Sequence, residues 1–432
     1  MLVGVAEKAL NVPLFAELYG YGPFRGRRNI GTRDPLYCRV MTFNDGNTRN
    51  MIVTTDAVVT DDLDARILRA KIAIEHGMLP QGIMFAATHT HSGPAMSLGI
   101  GWGEMNQEYL EHWRATVLET ARAAIACEEA VTAVGGRAKL SEKLGYNRAN
   151  EEKNQTDPEI RWIKLLRKDG SVKALIHNHG MHGVCYGPNQ LRVSADWMGE
   201  ANRVIKERKL AEIAFFIYGA AGDINFNWKK STADGATLDD RDRELYECGQ
   251  KYVNDLEKSL AEGGEPVELG PLQAAFDTVE LPTCVETAAE LRRNADLLKD
   301  IWTFASNRYT EMAVLADQGR SFRVFKDLQV LRMGDFALYA FPGEPFVQLG
   351  VDVMTRSPFK FAMPVGVANG NGRYFPVKET FDRNPSLLVD TSGSEIGYGY
   401  YEIWAGAGRY MPRYQDNIAD FIVGRLLELP LK

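Results

Sequence analysis

Seven histidines occur in this chain, and five of them fall in two short segments, His89/His91 and His177/His179/His182. Imidazole is the commonest protein metal ligand and the side chain best placed to move protons near neutral pH. Each cluster follows an apolar, strand-like run (83–87 and 172–176), the pattern of catalytic loops carried on a rigid scaffold. The two clusters together point to a metal-centred site. In Ala87-Thr-His-Thr-His-Ser-Gly-Pro94 the imidazoles are two residues apart. Alternate residues of an extended segment point the same way, so both can face one cavity. One would bind the metal while the other meets water or substrate. In the second cluster His177 and His179 share a strand face, and His182 joins a site only if the chain turns near Gly180 and Gly183. Spacing alone leaves all three as candidates.

Glu344 lies in Phe341-Pro-Gly-Glu-Pro345 after another apolar run. Two histidines and this carboxylate would make a His₂Glu set, which leaves a catalytic zinc an open position. Such a zinc acidifies its water and polarises a carbonyl. The small residues of Gly219-Ala-Ala-Gly-Asp223 bring backbone close to a neighbour, and their N–H groups could hold an oxyanion. That loop lacks the Gly-Lys-Ser/Thr ending of a phosphate loop, and the chain has no Gly-x-Ser-x-Gly elbow. His76 and His112 fall in helical patterns and read as surface residues.

Short apolar runs that alternate with helical patterns must position these groups. Leu63, Ile67, Leu68, Lys71, Ile74 and Met78 recur at helical spacing behind Asp61-Asp62. Residues 283–318 read as one long helix or a helical hairpin, 151–158 and 229–243 as loops, and 263–266 as the best joint between subdomains. Five strand-like runs (83–87, 172–176, 213–218, 336–341 and 361–367) each lead into a chemically rich segment, the last into Asn369-Gly-Asn-Gly372. The expected fold is α/β: a mixed β-sheet core covered by helices, with ligands on loops at strand carboxyl ends.

Composition narrows the partners. The chain has 432 residues, 45% of them apolar and 25% charged, with a net charge of −7; this is a globular balance, enough for one large domain or two smaller ones. No basic stripe marks a nucleic-acid partner. The longest apolar run, 213–221, is far short of a membrane span. Five scattered cysteines without a CxxC pair fit neither a disulfide framework nor a zinc knuckle, and they suit a reducing compartment. No leader is evident, so the expected location is cytoplasmic.

The motifs, in order, resemble the catalytic domain of the neutral/alkaline ceramidase family. The shared elements are Gly4-Val-Ala-Glu, Gly20-Tyr-Gly-Pro23, Asp34-Pro-Leu-Tyr37, the 87–94 motif, Asn147-Arg148, His182 through Ser194-Ala-Asp196, Gly222-Asp223, Gly343-Glu344 and Val367-Ala-Asn369. The resemblance implies one catalytic domain over 1–432 without the family's C-terminal immunoglobulin-like domain. It implies one zinc ion held by His89, His182 and Glu344, with His91, Arg148 and Asn225 as catalytic neighbours. His179, Asn369, Tyr374 and Tyr401 are the candidate substrate-binding residues. Two departures follow. Asn225 stands where the ceramidases have a serine, so a metal-bound hydroxide is the expected nucleophile. The family's tyrosine ligand aligns with Phe381, which cannot bind metal, so either the zinc keeps an extra water or a nearby hydroxyl such as Tyr374 or Tyr401 substitutes.

The sequence therefore predicts a zinc-dependent hydrolase of an amide, ester or lactone bond in a small soluble substrate, with oligomerisation open. A non-catalytic metal-binding member of the fold is the alternative reading, as is a metal-dependent lyase or isomerase that uses His177 or His179 as acid or base.

Overall fold

The computed structural model describes residues 1–21, 26–97, 103–227, 237–300, 303–383, 402–403 and 412–431. Three sheets carry the fold. In the first the strand order is Ile83–Ala87, Arg49–Thr55, Leu36–Asn44, Leu2–Leu10, Glu129–Ala130. In the second it is Ile213–Tyr218, Val172–His179, Glu159–Leu166, Thr132–Lys139, Glu265–Pro266. In the third it is Leu272–Glu280, Phe325–Met333, Phe336–Ala340, Phe361–Val365.

Each sheet ends in one parallel pair, and each pair is joined by a helix. Arg49–Thr55 crosses through Asp62–His76 to Ile83–Ala87. Val172–His179 crosses through Asp196–Glu207 to Ile213–Tyr218. Phe336–Ala340 crosses through Val347–Arg356 to Phe361–Val365. The same β-α-β unit thus occurs three times with no repeat visible in the sequence. These crossovers need a helix because parallel strands cannot be joined by a tight turn.

The strands read as continuous apolar runs because both faces are buried. Met84, Ala86, Ile176, Ile213, Phe215, Leu338 and Met363 meet in one central core shared by all three sheets. The alternate residues of these strands face the covering helices. Ile83 and Phe85 pack with the helices of the first sheet, Phe216 and Tyr218 with those of the second, and Ala337 and Tyr339 with those of the third. The expected mixed-sheet core under helices is therefore what forms, and the site-bearing carboxyl ends gather where the three units meet.

Some local expectations change. The Asp62–His76 helix is capped by Asp61 and by Gly77 in the left-handed conformation, but it buries Ala65, Leu68, Ile72 and Ala73 while Leu63 and Ile74 face outward. Asp64 and Arg69 lie on the buried side as well, where Asp64 pairs with Arg114 and Arg69 donates to the Ile83 carbonyl and Asn369. The 229–243 segment is not all loop. A 25-residue helix, Leu238–Glu262, starts on a Thr237/Asp240 capping box. Residues 283–318 contain a hairpin of Ala288–Leu298 and Thr303–Asp317. The 263–266 segment lies between the second and third sheets, and its Glu265–Pro266 strand pairs into the second. All five cysteines are free thiols. Among the described residues no helix is long and apolar enough to cross a membrane.

Candidate metal centre

His89 follows the Ile83–Ala87 strand in a left-handed conformation (φ 67°). This costs a non-glycine residue on the order of 1–3 kcal/mol. The turn holds because the His89 N–H donates to the Ala57 carbonyl at 2.8 Å, and Thr90 bridges to Gly183 of the second histidine loop. A side chain at Gly183 would put its Cβ 2.5 Å from the His89 carbonyl oxygen, so glycine is required there. The chain does turn before His182, as the glycines suggested: the second-unit strand stops at His179. The His182 N–H donates to the Ile224 carbonyl at 3.0 Å, and Trp197 Nε1 donates to the His182 carbonyl at 3.0 Å. Glu344 begins a two-residue strand parallel to Tyr374–Phe375. Gly222 abuts it, with its missing Cβ 2.5 Å from the Glu344 carbonyl oxygen.

Three β-α-β units thus deliver one candidate ligand each. Glu344 Oε2 lies 3.2 Å from His182 Nε2 and 3.4 Å from His89 Nε2. His91 Nε2 lies 3.2 Å from His89 Nε2. His89, His91 and His182 form a buried group that could hold a metal ion. Distance alone admits both His91 and Glu344 to the ligand set, and hydrogen bonding separates the histidines. His89 Nδ1 sits 2.8 Å from the Val58 carbonyl, and His182 Nδ1 sits 2.7 Å from that of Ala221. A carbonyl only accepts, so each Nδ1 carries the proton and each Nε2 presents a lone pair to the centre. Metal-binding histidines are held this way. His91 differs, because its Nδ1 is buried with no hydrogen-bond partner among the described residues.

Lone pairs that face a carboxylate repel it unless a cation lies between them. Burial, reinforced by Arg148, pulls His182 down to about 4, and burial pulls His91 well below its ordinary range. Burial alone pushes the Glu344 carboxyl up, and positive charge at the facing imidazole edges is what pulls it well below its usual range, so the carboxylate calls for a cation at that point. Two inward-facing Nε2 atoms and a carboxylate oxygen form an N/O donor set that fits a divalent ion such as zinc.

Arg148 borders this group. It donates from Nη1 to Asn225 Oδ1 at 3.0 Å and from Nη2 to the Gly222 carbonyl at 2.9 Å, and its Nε pairs with buried Glu402 at 2.9 Å. Its guanidinium carbon lies 5.4 Å from the Tyr374 ring, which stacks on His182 at 6.5 Å. Tyr374 thus stacks on a candidate ligand, and Arg148 and Asn225 lie beside it as a hydrogen-bonded pair. Phe381 packs in the core of the third sheet. Tyr374, beside Glu344 in register, is one phenol near the ligands, and Tyr401 lies outside the described residues.

Three other expectations are redirected. His177 is bound within the core to Tyr252 Oη at 3.1 Å and Asn202 Oδ1 at 2.8 Å. His179 faces the Glu159 carbonyl at 3.0 Å and Asp157 at 3.5 Å. Neither is brought to the three-histidine group. Asn369 ties elements together: its Oδ1 accepts from Arg69 and the Phe85 N–H, and its Nδ2 donates to Gln329. The N–H groups of Gly219, Gly222 and Ile224 close backbone bonds to His179, Pro345 and Ala221. The loop's Ala221 and Gly222 carbonyls face His182 and Arg148. His76 and His112 are partly covered at helix surfaces.

Sequence reasoning missed Glu402 and Tyr218. Glu402 has no local signal, since its partner is 254 positions away in the chain. Tyr218 ends the Ile213–Tyr218 strand, and its buried ring lies 4.8 Å from that of His89.

No protein-family model matches the chain, and no curated protein matches it in sequence. Solved structures do match it. Neutral ceramidase from Pseudomonas aeruginosa superposes with a TM-score of 0.75 at 17% identity, over 100% of this chain and 75% of that one. A ceramidase complexed with C2 gives 0.73 at 16% identity, over 100% and 76%. The protein has the neutral-ceramidase fold.

Proposed function

We propose that this protein is a metal-dependent hydrolase of an amide or ester bond in a small substrate, lactones included, with zinc as its metal. The observation that carries the reading is the pair of backbone-oriented imidazoles, His89 and His182, aimed at the ionised Glu344. The likeness to ceramidases supports a hydrolase and favours a carbonyl substrate.

His89, His182 and Glu344 would hold the metal, with Tyr374 as the candidate fourth ligand. When bound, the ion supplies Lewis acidity and a water that ionises near neutral pH. His91 is unprotonated at neutral pH because burial disfavours its charge, so it could accept a proton and return it to the leaving group. Arg148 fixes the substrate carbonyl and balances charge that develops on its oxygen. Its own direction is set by Asn225, the Gly222 carbonyl and Glu402. Asn225 is an acceptor for Arg148 and carries no nucleophile, so serine-based catalysis is not part of the scheme.

Elemental analysis of the purified protein, and turnover of a panel of N-acyl amines, esters and lactones before and after chelation, test this reading. About one equivalent of zinc, activity that is lost on chelation and restored by zinc, and loss of both metal and turnover in His89→Ala and His182→Ala are the expected results. Full turnover in a chelated sample would overturn it.

A further inference from the structure

A second charged cluster lies away from the histidines. Arg66 and Arg69, on the Asp62–His76 helix, both face Asp327 of the Phe325–Met333 strand. The carboxylate is already engaged. Arg66 donates to it from Nε at 3.1 Å and Nη2 at 2.8 Å, and the Thr278 hydroxyl donates at 2.7 Å. Arg69 is left under-compensated. Its side chain is 5% exposed. Its Nε donates to the Ile83 carbonyl at 3.1 Å and its Nη2 to Asn369 Oδ1 at 2.7 Å. Its Nη1 lies 3.8 Å from Asp327 Oδ2, beyond hydrogen-bond reach, and makes no hydrogen bond among the described residues. The guanidinium lies 4.7 Å over the Phe276 ring. Burial pulls Arg69 down to about 10 despite Asp327, and Arg66 adds to the pull.

Two guanidiniums that share one carboxylate leave a net positive charge. It sits in the wall of a cavity of about 540 Å³ whose only charged lining residues, among the described residues, are Arg66, Arg69 and Asp327. Much of the remaining wall is apolar, including Pro80, Ala274 and Phe276. The volume is that of a small-molecule pocket (roughly 300–1,000 Å³) rather than a bare-ion site. Guanidinium edges recognise oxyanions through paired, charge-assisted hydrogen bonds. A buried cation without a full partner is costly until an anion meets it.

We propose that this cavity binds a small organic oxyanion, a carboxylate or a phosphate. Its oxygens bridge Arg66 and the Nη1 edge of Arg69, and its apolar part lies along Pro80 and Ala274. The proposal is independent of the hydrolytic reading.

Calorimetric titration with hexanoate and with inorganic phosphate, at matched ionic strength in sodium chloride, tests it. Arg66→Gln is the informative variant because Arg69 also ties Asn369 to the Ile83–Ala87 strand. Saturable binding of either anion, weakened about tenfold or more in Arg66→Gln as one charge-assisted pair predicts, and unchanged by chelation, supports the site. The preferred anion identifies the headgroup. Absence of saturable binding overturns the proposal, as does binding that Arg66→Gln leaves intact or that chelation abolishes, since the latter belongs to the histidine centre. A thermal melt of Arg66→Gln that matches wild type without anion excludes misfolding as the cause of any loss.

Discussion

Glu344→Gln distinguishes a metal centre from a buried ion pair, because the two give opposite signs. At pH 8 the carbonyls of Val58 and Ala221 keep the protons of His89 and His182 on Nδ1, so both Nε2 lone pairs face Glu344 Oε2, at 3.4 and 3.2 Å. Without metal that is acceptor against acceptor. A glutamine amide at the same place offers an N–H, and a buried hydrogen bond contributes about 0.5–1.5 kcal/mol net. In chelator the variant should therefore be more stable than wild type by about 1 kcal/mol. With zinc the order reverses. Loss of an outer-sphere partner already costs roughly 10–100-fold in metal affinity. Loss of a direct ligand should cost at least about a hundredfold, or about 2.7 kcal/mol of metal-linked stability at saturating zinc. Unfolding entropy of roughly 2.1 cal/mol/K per residue, over 432 residues, gives about 0.9 kcal/mol/K. The variant should melt about 1 °C higher than wild type in chelator, and its zinc-induced shift should be smaller by about 3 °C. Scanning calorimetry of both proteins in chelator and in zinc reads this directly. A variant less stable than wild type in chelator would mean that Glu344 already holds an imidazolium. Equal zinc shifts would remove Glu344 from the ligand set. Either result refutes the reasoning.

Tyr374→Phe should weaken zinc binding about tenfold in competition with a chromophoric chelator. Phe381→Tyr should not strengthen it, since that ring belongs to the third sheet's core; a gain would restore Phe381 to the site. Glu402→Gln should lower turnover about a hundredfold by releasing Arg148 from its aim while leaving metal content unchanged. Loss of metal in that variant would make Glu402 part of the ligand scaffold instead. Stability should fall as pH drops from about 6.5 to 4, because burial holds His177 at about 4. Over that window the unfolded chain takes a proton that the folded chain refuses. The folded pKa is depressed for a base, so the stability is intact above the unfolded pKa and is lost on acidification, by up to about 3 kcal/mol. His177→Gln should flatten the loss seen in urea titrations at pH 6.5 and 4.5, and an unchanged slope would count against it.

Local chemistry made much of this legible in the sequence. The apolar runs at 83–87, 213–218 and 336–341 became strands within a residue of their ends, because burial on both faces writes an unbroken apolar word that needs no partner to be read. The Asp62–His76 helix shows the limit. Its periodicity gave its existence, but its buried face also takes in Asp64 and Arg69, whose partners Arg114 and Asp327 are 50 and 258 positions away. The threefold recurrence of β-α-β units was invisible because only the pairing of strands repeats, not the residues.

The division of labour between His89 and His91 is the harder case, and it shows why a motif names candidates without assigning them. Both imidazoles are buried and their Nε2 atoms are 3.2 Å apart, so neither residue type, spacing nor depth tells them apart. What does is the group behind each ring: the Val58 carbonyl for His89, and no hydrogen-bond partner among the described residues for His91. A carbonyl belongs to every residue, so no side-chain identity at position 58 records that it fixes a tautomer. The same holds for Ala221 and Ile224 behind His182. The glycines are the exception. Gly183 and Gly222 are legible as close approaches because a Cβ would strike the carbonyls of His89 and Glu344, so each marks, without naming its neighbour, a place where one β-α-β unit presses a candidate ligand against the next.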